Sequence, residues 1–118
     1  MPSVLIVDDE PDIRFLLRRM AEQAEWYVAG EAASGQEALD CYWDLKPDVI
    51  VLDHRMPGLS GLETAERILT EHPEQAIVLF TAFADPALER AATALNVRAC
   101  LPKSDLHRLL AVLRACIT

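Results

Sequence analysis

Five short apolar runs rich in β-branched residues occur along the chain, and each is followed by a longer stretch in which apolar positions recur at three- and four-residue spacing. The runs, read as strands, are Ser3 to Val7, Trp26 to Ala32, Asp48 to Asp53, Ala76 to Phe80 and Arg98 to Leu101. Alternation of this kind is the pattern of parallel βαβ units. The third run, Val49-Ile50-Val51-Leu52, has no polar alternation, which predicts a central strand covered on both faces. The second mixes Glu31 with small residues and suits an edge. Between them, Ile13, Leu16, Leu17, Met20 and Ala24 mark the buried stripe of a first helix, with Pro11 tolerated at its start. Ser34 with Glu37 and Ser60 with Glu63 have capping-box spacing, and Asp85-Pro86 opens a fourth helix. Ser104 is expected to cap a fifth, whose stripe is Leu106, Leu109, Leu110, Leu113 and Ile117.

Right-handed crossovers turn such a (βα)5 unit into a doubly wound parallel sheet with helices on both faces. Polar residues at the C-terminal ends of its strands then converge on one rim. Those ends read Asp8-Asp9-Glu10, Asp53, Thr81 and Lys103. A length of 118 residues with 52% apolar positions fits one domain, 1–118, with a core that needs neither disulfide nor structural metal. Three cysteines, Cys41, Cys100 and Cys116, are an odd number without paired-ligand spacing, so a reducing cytoplasm is the expected compartment and core packing their expected use. The apolar runs are too short to span a bilayer. A net charge of −8 disfavours direct nucleic-acid binding.

Taken singly, the rim residues have ordinary structural explanations. Asp8 to Glu10 suit a helix start, Asp53 a turn, Thr81 a backbone-bonded hydroxyl and Lys103 a solvated charge. Together they are harder to explain. Two like charges about 4 Å apart repel by roughly 4 kcal/mol at an effective dielectric of 20, and Lys103 cancels only one of the charges on Asp8, Asp9 and Asp53. Either one carboxyl is protonated or a divalent cation completes the site, and an oxygen-only set suits Mg²⁺. Thr81 and Lys103 supply a neutral donor and a fixed cation for phosphoryl oxygens, which makes Asp53 a nucleophile able to form an aspartyl phosphate.

The segments Val4-Leu5-Ile6-Val7-Asp8-Asp9-Glu10, Asp53-His54-Arg55-Met56-Pro57-Gly58-Leu59-Ser60-Gly61, Thr81-Ala82 and Leu101-Pro102-Lys103 resemble the receiver domain of bacterial two-component response regulators. The run from Lys103 to Leu106 is similar to receivers joined to LuxR-type DNA-binding domains. The resemblance covers the whole chain and implies a flavodoxin-like sheet of order 2-1-3-4-5. It implies Asp53 as phosphoacceptor, Asp9 as direct Mg²⁺ ligand, Asp8 as a ligand through water, and the backbone carbonyl of Arg55 as a further ligand. Thr81 and Lys103 would hold the phosphoryl group, and Ala82 would leave room for the donor. Glu10 lies outside the pattern and is expected only to favour the helix start. A sensor histidine kinase or phosphotransfer protein is the implied partner, with a DNA-binding output domain in a longer chain and a phosphorylation-dependent dimer as implied outputs. The module itself is not expected to be an enzyme.

Three departures from the family matter. Ser104 follows the rim lysine where the family often has proline, and Pro102 precedes it, so a trans Lys103-Ser104 bond is expected. Cys100 replaces the usual switch aromatic, which leaves Phe80 or Phe83 to substitute. Arg55 and Phe83 occupy the variable positions over the phosphoryl group, where a long cation and a bulky ring would obstruct water. His54, His72 and His107 lack ligand spacing, and Trp26-Tyr27 and Tyr42-Trp43 read as packing or surface residues. The rival readings are a phosphorylation-independent interaction module, a haloacid-dehalogenase-type phosphatase, disfavoured by Arg55 two residues after Asp53, and an FMN carrier, disfavoured by the acidic first turn.

Overall fold

The computed structural model describes residues 1–118. Its strands are β1 (Ser3–Val7), β2 (Tyr27–Ala32), β3 (Val49–Leu52), β4 (Ala76–Thr81) and β5 (Ala99–Pro102). They alternate with α1 (Pro11–Gln23), α2 (Gly35–Leu45), α3 (Gly61–Glu71), α4 (Pro86–Ala94) and α5 (Leu106–Ala115). All pairings are parallel and the order is β2-β1-β3-β4-β5, the flavodoxin-like sheet, with β3 central and β2 at an edge. The edge pairing slips by one residue between Val4 and Leu5, an irregularity that edge strands tolerate.

Side chains alternate across the sheet and divide the core in two. Leu5, Val7, Ile50, Leu52, Ile77 and Leu79 pack under α2, α3 and α4. Val4, Ile6, Val49, Val51, Val78 and Phe80 pack under α1 and α5. Truncating any of these to alanine is expected to cost about 2–5 kcal/mol. No helix is long and apolar enough to cross a membrane.

Several expectations are corrected. In α1, Leu17 is buried but Leu16 is exposed, as is Ile117 beyond α5, because the contact face is narrower than the apolar stripe. Trp26 precedes β2 rather than opening it, yet its ring is buried beneath α1. Ser60 and Glu63 form the complete capping box. Ser34 accepts from the Glu37 N–H, but the Glu37 carboxylate does not accept from the Ser34 N–H in return. Asp85 caps α4 by accepting from the Leu88 N–H. Ser104 caps nothing. It lies inside a 3-10 turn, Lys103–Asp105, which makes Asp105 the residue before α5 and leaves that helix without a side-chain cap.

Candidate phosphoryl and metal site

The site is assembled at the C-terminal rim by backbone bonds between neighbouring strand ends. The Asp53 N–H donates to the Val7 carbonyl at 2.9 Å, and the Asp8 N–H to Ala32 at 3.1 Å, so β2, β1 and β3 end in register. Asp8 and Asp53 are thereby carried into the interior, 1% and 4% exposed. Beyond β3 the chain turns through Gly58, whose φ of +80° lies in the left-handed region that glycine occupies without strain. It returns at Gly61, where a Cβ would stand 2.3 Å from the Asp53 carbonyl oxygen and 2.7 Å from His54 Cα. Only glycine lets the start of α3 lie against the backbone that carries Asp53. The Gly61 N–H donates to the His54 carbonyl at 2.8 Å and closes the loop.

Four carboxylates, those of Asp8, Asp9, Glu10 and Asp53, each bring an oxygen within 4.8 Å of the others. One ammonium faces them. Lys103 Nζ stands 2.9 Å from Asp8 Oδ2, 3.3 Å from Glu10 Oε1 and 3.4 Å from Asp53 Oδ2. The remaining oxygens are partly used by backbone: Asp8 Oδ1 accepts from the Glu10 N–H at 2.9 Å, and Asp53 Oδ1 from the His54 N–H at 2.8 Å. With four anions against one cation, formally three negative charges are uncompensated. A hard, all-oxygen donor set of that charge fits a divalent cation such as Mg²⁺.

The electrostatics agree with that count. Burial, and after it the charge of Asp8, pushes the Asp53 carboxyl above its ordinary value, against the opposing pull of Lys103 and the His54 N–H. Burial alone would lower Lys103, but its bond to Asp8 and the field of Asp53 carry it above its ordinary value. The lysine is therefore a fixed cation. It sits nearer Asp8 than Asp53. Burial, with Arg55 beside it, lowers His54. A neutral His54 ring can accept the Leu62 N–H at Nδ1, 3.4 Å away, in the first turn of α3.

Of the residues singled out from sequence, Asp8, Asp9, Asp53 and Lys103 meet in one cluster. Thr81 ends β4, fully buried, and its Oγ1 has no hydrogen-bond partner. Ala82 follows it at the surface. Arg55 is exposed in the loop after β3, and no hydrogen bond is made to its carbonyl. Arg55 and Phe83 line one groove of about 290 Å³ together with His54, Leu62, Asp85 and Leu88. Sequence reasoning missed Glu10. It stands before α1 without capping it, and its carboxylate turns to Lys103 and the cluster. Three consecutive acids after a strand were the available signal.

The Lys103-Ser104 bond is trans, as are all others. Phe80 packs under α1 and α5, on the sheet face opposite Cys100, and so does not replace the missing aromatic. The three cysteines are free and partly buried against the core, as expected of packing residues.

Residues 4–114 match the family model of the response regulator receiver domain. The chain is 45% identical over 95 residues to protein-glutamate methylesterase/protein-glutamine glutaminase 3 of Hahella chejuensis, covering 80% of this chain and 26% of that protein. It is 36% identical over 85 residues to the chemotaxis protein CheY of Thermotoga maritima, covering 72% of this chain and 71% of CheY. The solved structure of the response regulator TrrA from Thermotoga maritima in complex with Mg²⁺-BeF shares the fold at a TM-score of 0.83 and 31% identity, over 96% of this chain and 99% of that one. The chain spans about a quarter of the methylesterase's length. Fold, acidic pocket and similarity agree, and the chain belongs to the response regulator receiver domain family, the phosphoaccepting signalling module of two-component systems.

Proposed function

We propose that Asp53 is the phosphoacceptor and that Asp8, Asp9 and the backbone carbonyl of Arg55 join it in holding Mg²⁺. The observation that carries this reading is a buried aspartate clustered with three further carboxylates, two of which share its single lysine. The Asp53 carboxylate attacks phosphorus, a new O–P bond forms, and the donor's P–N bond breaks with its electron pair passing to the leaving imidazole of a phosphohistidine. Bound Mg²⁺ would neutralise charge shared between the carboxylate and the phosphoryl oxygens. Lys103 supplies a second, fixed cation. Thr81 supplies a hydroxyl whose hydrogen-bonding capacity is unused within the protein. Ala82, small and exposed, leaves the entry open. The Mg²⁺-BeF complex of TrrA supports the same chemistry here.

The modified aspartate attracts Thr81 and its loop, and the free energy appears as a shift between two populations. Leu88 of α4 and Cys100 of β5 lie on the core face beside β4, so the α4–β5–α5 surface reads the shift. With Cys100 small and Phe80 on the other face, Phe83 is the aromatic left on the α4 side. The partner is a sensor histidine kinase or phosphotransfer protein in the cytoplasm. The output is a DNA-binding domain of a longer regulator or a phosphorylation-dependent dimer. Incubation with acetyl phosphate and Mg²⁺ should add one phosphoryl group, detected by intact-protein mass spectrometry, and Asp53→Asn should abolish it. Undiminished labelling of that variant would remove the assignment.

A further inference from the structure

We infer that Arg14 is a positioning residue for the cation site, acting through the backbone of the first acidic turn. This inference rests on the reading that the carboxylate cluster holds Mg²⁺. Arg14 lies in the first turns of α1. Its Nη1 donates to the carbonyl oxygen of Asp8 at 2.6 Å, and its Nε lies 3.3 Å from Glu31 Oε1 on the edge strand β2. Glu31 is itself held from the next turn of α1 by Arg18 Nε at 2.6 Å. The guanidinium thus forks between the peptide that leads into Asp9 and an anchored carboxylate. The two acceptors are reached from two different nitrogens, Nη1 and Nε, held at a fixed separation by the planar guanidinium, and the single nitrogen of an ammonium cannot reproduce that spacing.

The consequence falls on Asp9. The peptide entering it is fixed by Arg14, and the Glu10 N–H leaving it is fixed by Asp8 Oδ1 at 2.9 Å. Backbone on both sides of Asp9 is therefore set before any ion arrives, and its carboxylate is kept among the other three. Groups behind a metal ligand commonly change affinity by tenfold or more when removed.

The sign of the effect separates positioning from simple charge. Arg14 is a cation beside a cation site, so if it acted only through its field, deleting it would tighten Mg²⁺ binding. Positioning predicts the reverse. Arg14→Met should weaken Mg²⁺ binding about tenfold by isothermal titration calorimetry, while Arg19→Met, which removes the same charge from an exposed position of α1 where the guanidinium lies over Phe15, should bind as the unmodified protein does. Arg14→Lys keeps the charge without the fork and should also bind severalfold more weakly, which preserves the test should the methionine variant fold poorly. Unchanged or tighter binding in a folded Arg14→Met or in Arg14→Lys overturns the inference, as does equal weakening in Arg19→Met. Failure of the unmodified protein to bind Mg²⁺ would instead overturn the reading beneath it.

Discussion

Replacing Asp53 by asparagine should stabilise the protein in the absence of divalent cations and reduce its response to them. Asparagine is nearly isosteric and keeps an oxygen that can accept the His54 N–H, now at 2.8 Å. What it removes is charge. At the 4.8 Å limit within which the cluster oxygens lie, two unit charges repel by about 3.5 kcal/mol at an effective dielectric of 20. Lys103, 3.4 Å from Asp53, returns about 5 kcal/mol on the same scale. That ammonium is shared with Asp8 and Glu10, and burying a carboxylate costs several kcal/mol more. Burial and Asp8 prevail over Lys103, because the Asp53 carboxyl is held above its ordinary value. A net gain of about 1–2 kcal/mol follows for Asp53→Asn, or about 4–8 °C in Tm for a chain of this size. Thermal unfolding followed by circular dichroism in EDTA measures it. Mg²⁺ at a hundred times its dissociation constant should then add about 2.7 kcal/mol to the unmodified protein and clearly less to the variant. A variant that melts lower in EDTA, or gains as much from Mg²⁺, would refute the electrostatic account of the pocket.

The same raised carboxyl gives the metal-free protein a pH dependence. A folded-state value above the unfolded one near 3.8 makes its contribution complete below that pH and lost as pH rises through the folded value, so stability should fall over this window in the unmodified protein but not in Asp53→Asn; urea titrations across pH 3–7 would show the difference. Thr81→Val, which removes a buried hydroxyl without a partner, should raise stability by about 1 kcal/mol while reducing the change in Tm produced by phosphodonor and Mg²⁺. Gly61→Ala should cost about 3 kcal/mol or more and weaken Mg²⁺ binding, since its Cβ meets backbone rather than a movable side chain; equilibrium unfolding and calorimetry check both. Arg55→Ala and Phe83→Ala should each shorten the half-life of the phosphorylated protein by removing the long cation and the bulky ring that obstruct attacking water, read by loss of label after donor removal.

The order of strands and helices, the central place of β3 and the edge place of β2 were legible in the sequence, because burial on both faces, on one stripe or at an edge leaves a periodicity in the residues themselves. So were Asp8, Asp9, Asp53, Thr81 and Lys103 as rim residues, since a parallel sheet brings all its strand ends to one side whatever their separation along the chain. Tertiary structure alone decided which atoms meet there. Lys103 stands nearest Asp8, Glu10 turns from the helix start to the cluster, and Arg14 reaches back to the Asp8 carbonyl. Nothing in the residue types distinguishes a capping glutamate from one facing a lysine 93 positions away. The exposure of Leu16 and the 3-10 turn at Ser104 have the same origin. Local pattern specifies which face of an element is buried, whereas the width of that contact and the partner of each charged group depend on how the elements pack.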